Sequence, residues 1–112
     1  MKVRQYQRAK DLKLPHAVHY QCIWIVRDRA RLEALVRQKE QENGRSAAAE
    51  TAAFHLECIR RALETVPECY RSGILDNIEG RRTGYEPYAH LNTWKRWKQR
   101  FLYELARELR LI

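Results

Sequence analysis

Four glycines and three prolines are all that interrupt this chain of 112 residues, and all but Gly73 fall between stretches whose apolar side chains recur at helical spacing. Glycine and proline are the residues that most often end helices, so a chain using them almost entirely as punctuation has few architectures open to it. No segment alternates apolar and polar residues with the period of a strand, and no internal repeat or low-complexity tract is present. The expected fold class is all-α.

Pro15 suits the start of a helix that continues to Asn43, with Gly44 as its stop. Val18, Cys22, Ile25, Leu32 and Val36 recur on it at helical spacings, broken only by Arg29, and mark a seam for a partner helix. Ser46 is placed to cap a second helix to about Thr65, with Thr51, Phe54, Cys58 and Ala62 on its inner stripe. The two read as a long antiparallel hairpin, residues 15–65, turning at Asn43-Gly44. Val66-Pro67-Glu68 restarts the chain in a third helix that turns Tyr70, Ile74, Leu75 and Ile78 inward, is weakened by Gly73, and stops at Gly80. Arg81 to Gly84 reads as a loop, Pro87 opens one short turn through His90, and Asn92 or Thr93 caps a final helix running nearly to Ile112. Length makes this a single domain, with residues 1–14 as a basic arm and 66–112 as its last part.

Charge bears on the partner. The chain carries 22 Lys and Arg against 14 Asp and Glu, a formal charge of +8. Residues 1–45 carry +6, residues 46–70 carry −2 and residues 71–112 carry +4. The longest apolar runs are too short to span a bilayer, no hydrophobic signal region follows the first residues, and three cysteines without a Cys-x-x-Cys pair argue against a disulfide framework. A cytoplasmic protein with buried thiols and no membrane contact is expected. His16, His19 and Cys22 share one helix, and His55 and Cys58 another, but the hairpin register separates the two groups, so no metal and no cofactor is assigned. No phosphate-cradling glycine loop, nucleophile elbow or framed carboxylate pair is present, and the chain does not read as an enzyme.

The stretch from Asn92 to Arg100 carries four cations and no acid. At 100° per residue Trp94, Trp97, Phe101 and Leu105 share a face that large aromatics prefer to bury. Lys95, Arg96, Gln99, Arg100 and Tyr103 fall opposite, with Lys98 near the apolar edge. Arginine, lysine and glutamine bond base edges and phosphates in a major groove, so double-stranded DNA is the expected partner of this face. Arg81 and Arg82 are placed to touch a phosphate. Lys2, Arg4, Arg8, Lys10 and Lys13, offset only by Asp11, form either an arm that follows DNA or a frayed, solvated terminus.

Three groups of residues also carry a family resemblance. They are Ala62-Leu63-x-x-Val66-Pro67-Glu68-x-Tyr70-Arg71-x-Gly73-Ile74, Tyr85-x-x-Tyr88-Ala89 and Thr93-Trp94-Lys95-Arg96-x-Lys98-x-Arg100-Phe101. Together they resemble the C-terminal part of phage late-gene transcription activators of the RinA/ArpU type, whose DNA-binding part is similar to the helix-turn-helix of sigma-factor region four. The resemblance implies a scaffold helix from Pro67, a supporting helix over Tyr85–His90 and a recognition helix over Thr93–Leu111, with Thr93, Lys95, Arg96, Gln99 and Arg100 at DNA. The span Tyr85–Thr93 is shorter, by about one turn, than a complete helix-turn-helix needs, so a truncated motif is expected. Two other classes stand beside this reading: a helical interaction protein docking RNA polymerase, and a phage DNA-packaging component such as a small terminase subunit. A homodimer fits paired half-sites, and the seam of the first helix is equally open to use within one chain.

Overall fold

In a computed structural model, residues 12–42, 46–81 and 84–112 are described, and among them the secondary structure is helical with no strand. The helices are α1 (His16–Arg27), α2 (Arg29–Glu42), α3 (Ala47–Leu63), α4 (Glu68–Ile78) and α5 (Leu91–Glu108). No helix of the described residues is long and apolar enough to cross a membrane.

The expected first helix is divided in two at Asp28. Its N–H still reaches the carbonyls of Trp24 and Ile25, at 3.0 and 3.2 Å, and Leu32 N–H bonds back to its own carbonyl at 3.0 Å. The helical path therefore bends rather than ends. Its carboxylate receives Arg31 through Nε at 2.9 Å and Nη2 at 2.6 Å, which holds Asp28 below the ordinary carboxylate range. The bend gives the halves different partners: α2 lies along α3, whereas α1 packs on α4 and α5. Arg29, the residue that breaks the seam in the sequence, tethers the bend to the end of α4. It pairs with Glu79 past the end of α4, Nε to Oε2 at 3.0 Å, while Arg27 Nε donates to the Ile78 carbonyl at 2.8 Å.

Of the expected hairpin over 15–65, the described residues show α2 packed along α3, and the expected turn at Asn43-Gly44 lies outside the described residues. Ser46 caps α3 as expected, its Oγ accepting the Ala49 N–H at 3.2 Å. The inner stripe is shifted, however. Ala49, Ala52, Cys58, Ile59 and Ala62 are buried, while Thr51 faces solvent and Phe54 is 49% exposed. Small alanines allow α2 close approach, and a phenylalanine at the same contact would hold the helices apart.

α4 starts after Pro67 and ends in a left-handed cap at Gly80, φ 78°, with Arg81 N–H on the Asp76 carbonyl and Gly80 N–H on that of Asn77. The same arrangement ends α5, where Arg110 takes φ 61° and Leu111 N–H bonds the Ala106 carbonyl at 2.9 Å. Residues 84–90 form turns instead of the expected supporting helix. The turns are fixed by aromatic packing: Tyr85 stacks on Trp94 at 4.8 Å and 9°, and the indole N–H donates to the Glu86 carbonyl at 3.0 Å. α5 then begins at Leu91, one or two residues before the expected caps, because His90 serves as N-cap with Nδ1 accepting the Asn92 N–H at 3.0 Å.

α5 is the central element, packed on α1, α3 and α4. Trp94, Phe101, Leu102, Leu105 and Ala106 are buried there among Cys22, Val26, Ile59, Ala62, Val66, Ile74 and Ile78. Leu12 and Leu14 are buried as well, so the last residues of the supposed basic arm belong to the fold. Cys22 and Cys58 are buried free thiols, as expected, but Cys69 is exposed.

Candidate nucleic-acid interface

Because α5 is contacted on several sides, its residues divide into three stripes instead of two faces. Trp94, Phe101 and Leu105 enter the core. Leu91, Lys95, Lys98, Gln99 and Leu102 line a cleft of about 450 Å3 toward His19 on α1 and Asn77 near the end of α4. Arg96, Arg100, Tyr103 and Arg107 succeed one another at spacings of four, three and four on the remaining side.

The expected DNA-binding residues therefore separate. Gln99 points away from the outer stripe: its amide donates to the Leu12 carbonyl at 2.7 Å, 87 residues away in sequence, and ties the start of the described chain to α5. Lys98 is half-buried, with Nζ donating to Asn77 Oδ1 at 2.9 Å, and burial followed by the nearby Arg27 charge holds its ammonium below the ordinary lysine range. Lys95 is exposed at the mouth of the cleft. Thr93 is half-buried in the first turn, where its N–H bonds the His90 carbonyl at 2.9 Å.

On the outer stripe the missing acid of Asn92–Arg100 is supplied one turn later. Glu104 Oε2 lies 3.2 Å from Arg100 Nε, an ion pair whose angle does not make a hydrogen bond, and Glu104 Oε1 receives Arg107 Nη1 at 3.4 Å. One carboxylate between two arginines leaves one positive charge over. Tyr103 is half-buried against the core. Arg81 extends from the end of α4 within 4.0 Å of Asp76 and 3.8 Å of Glu79, so part of its charge is matched within the chain. Arg82 lies outside the described residues, as do Lys2, Arg4, Arg8 and Lys10.

Arg107 and Arg110 are additions that the sequence pattern did not single out. Arg107 extends the stripe seven residues beyond Arg100, two turns along the same face, a spacing present in the sequence. From Leu91 to Ile112 six cations stand against two acids. His19, Asn77 and Tyr85 are further additions. They come from three separate segments, and only the fold brings them beside Lys98. Among the described residues no three His, Cys, Asp or Glu side chains converge as a metal site.

Compared with protein-family models, with curated proteins and with solved structures, the chain finds no match.

Proposed function

We propose that this protein binds double-stranded DNA through the outer stripe of α5 and acts as a transcription regulator of the phage late-gene activator type. The observation that carries the reading is the run of Arg96, Arg100 and Arg107 along one side of α5, with Glu104 as the single acid among them. Thr93 continues it toward the N-terminal end of the helix, and Arg110 toward the other. Guanidinium groups along a helix match phosphates across a groove and, where they reach bases, guanine acceptors. The ion pairs to Glu104 hold two of them in a defined place before DNA arrives. The regulatory role rests on the resemblance alone, and the turns over Tyr85–His90 mean that α5 is held by its Trp and Phe packing instead of by a complete helix-turn-helix.

The test is duplex-DNA binding by fluorescence anisotropy as salt is varied. Wild type should lose affinity steeply with salt. The triple variant Arg96→Gln, Arg100→Gln and Arg107→Gln, checked for retained helicity, should bind more weakly, with a log–log slope shallower by about 0.9 for each phosphate it no longer neutralises. A triple variant that binds like wild type refutes this interface. Selection from a randomised duplex library then separates sequence-specific from general binding.

A second reading, docking on another protein such as RNA polymerase, is favoured by one observation. Trp24 is 60% exposed on α1, beside a cleft of about 510 Å3 that Ile25, Leu32, Leu35 and Ala52 line between the α1–α2 bend and α3. Exposed tryptophans next to apolar clefts are common interface anchors.

A further inference from the structure

We propose that the cleft between α1, the end of α4 and α5 is a phosphate-binding site, with Lys98 and Lys95 as its cations and His19 beside them. It is a different surface from the outer stripe and stands whether or not that stripe binds DNA.

The argument begins with Lys98. A lysine at an apolar edge ordinarily extends its stem to put the ammonium in water. This one turns inward to Asn77 Oδ1 at 2.9 Å, and the same carboxamide oxygen accepts the Tyr85 hydroxyl at 3.0 Å. Two donors on one oxygen fix the ammonium at the cleft wall. An ammonium has three N–H donors, and one neutral acceptor does not balance its charge. Among the described residues no carboxylate lies within 4.0 Å of it, and no Asp or Glu lines the cleft. What surrounds it is further positive or polar: Arg27 close enough to act on its charge, His19 across the cleft, Lys95 at the mouth. Partly buried charge is costly without a counter-ion, so the arrangement is one that an anion completes.

The size and the remaining lining narrow the anion. About 450 Å3 lies within the range of small-ligand sites and far exceeds a chloride. Leu91 and Leu102, on the same stripe of α5 as the two lysines, and Tyr85 add apolar lining beside the cations, suited to the organic part of a phosphate ester. His19 is held below its ordinary value first by burial, then by the charges of Lys98 and His16, so at neutral pH it presents a neutral imidazole. A bound dianion opposes these effects and draws a proton onto the ring, adding a third cation as the site fills. The shared chemistry is a phosphate group, carried either by a free phosphate or mononucleotide or by the backbone of a nucleic acid.

The experiment uses the full chain and inorganic phosphate, followed by 1H–15N NMR at constant ionic strength with chloride as the balancing salt. Saturable shifts are expected at the His19 ring, the Tyr85 amide and the Lys98 ammonium, with the His19 titration moving to higher pH. The variant Lys98→Met should weaken phosphate binding about tenfold or more, and His19→Gln should weaken it less while keeping the shifts at Lys98. Adding duplex DNA separates the sources. Phosphate shifts that persist on the DNA complex assign the cleft to a free ligand, and shifts that DNA abolishes assign it to a backbone phosphate. Phosphate binding by a protein without DNA affinity keeps this site and removes the DNA reading. Shifts that grow linearly without saturating, or that are unchanged in Lys98→Met, overturn the site.

Discussion

Gly73 sits in the middle of α4, where glycine weakens a helix by about 1 kcal/mol relative to alanine. A Cβ on it would meet Trp94 Cη2 at 2.8 Å and Cζ3 at 2.9 Å. The indole has nowhere to move. It is 1% exposed, stacked on Tyr85, held edge-on by Tyr70 at 4.7 Å and bonded through its N–H to the Glu86 carbonyl. Overpacking a core that cannot yield costs about 1–3 kcal/mol, which outweighs the gain in helix propensity. Gly73→Ala should therefore lower the thermal midpoint by about 5 °C, read by calorimetry. A midpoint that rises would show that Trp94 gives way.

At the scale of elements, the helices themselves were legible in the sequence, because Pro67, Gly80 and Ser46 act locally through backbone geometry and capping. The bend at Asp28 was not. Nothing within a turn of Asp28 breaks a helix, and the contact that holds the bend lies fifty residues away, in the pairing of Arg29 with Glu79. The stripes of α5 were legible only in part. Trp94, Phe101 and Leu105 follow from periodicity, but Lys98 and Gln99 turn inward because Asn77 and the Leu12 carbonyl offer acceptors that no local pattern reveals. The supporting helix failed for a similar reason. Tyr85 stacks on Trp94 and its hydroxyl bonds Asn77, contacts that no local pattern reveals. The two arginines at the bend should differ in worth. Arg27→Ala loses one bond to a helix-end carbonyl that water can replace, costing about 1 kcal/mol. Arg29→Ala removes the 3.0 Å partner of the Glu79 carboxylate, which is 8% exposed, and leaves it Arg81 at 3.8 Å; this should cost about 2 kcal/mol. Urea midpoints at unchanged slope measure both, and adding Glu79→Ala to Arg29→Ala should cost little more. Equal losses for the two single variants would contradict this account of the bend.

Across the whole molecule the core is unevenly shared. The main apolar cluster takes residues from α1, α3, α4 and α5 and none from α2, whose only buried apolar side chain, among the described residues, is Leu32, outside that cluster. α5 supplies Trp94, Phe101, Leu102, Leu105 and Ala106, and it touches three of the other four helices. Without it, α1 and α4 have little left to pack on. Residues 1–90 alone should show only weak, non-cooperative helicity by circular dichroism, and a peptide of residues 91–112 added in trans should restore a cooperative melt. A cooperative transition in the shorter chain by itself would refute the central role of α5. The helix that organises the core is also made after the other four. During synthesis α1, α3 and α4 leave the ribosome with the apolar faces that meet α5 uncovered. Folding of the core must wait for α5 to clear the exit tunnel, and a chain that stalls before then is exposed to chaperones and proteases for as long as the stall lasts.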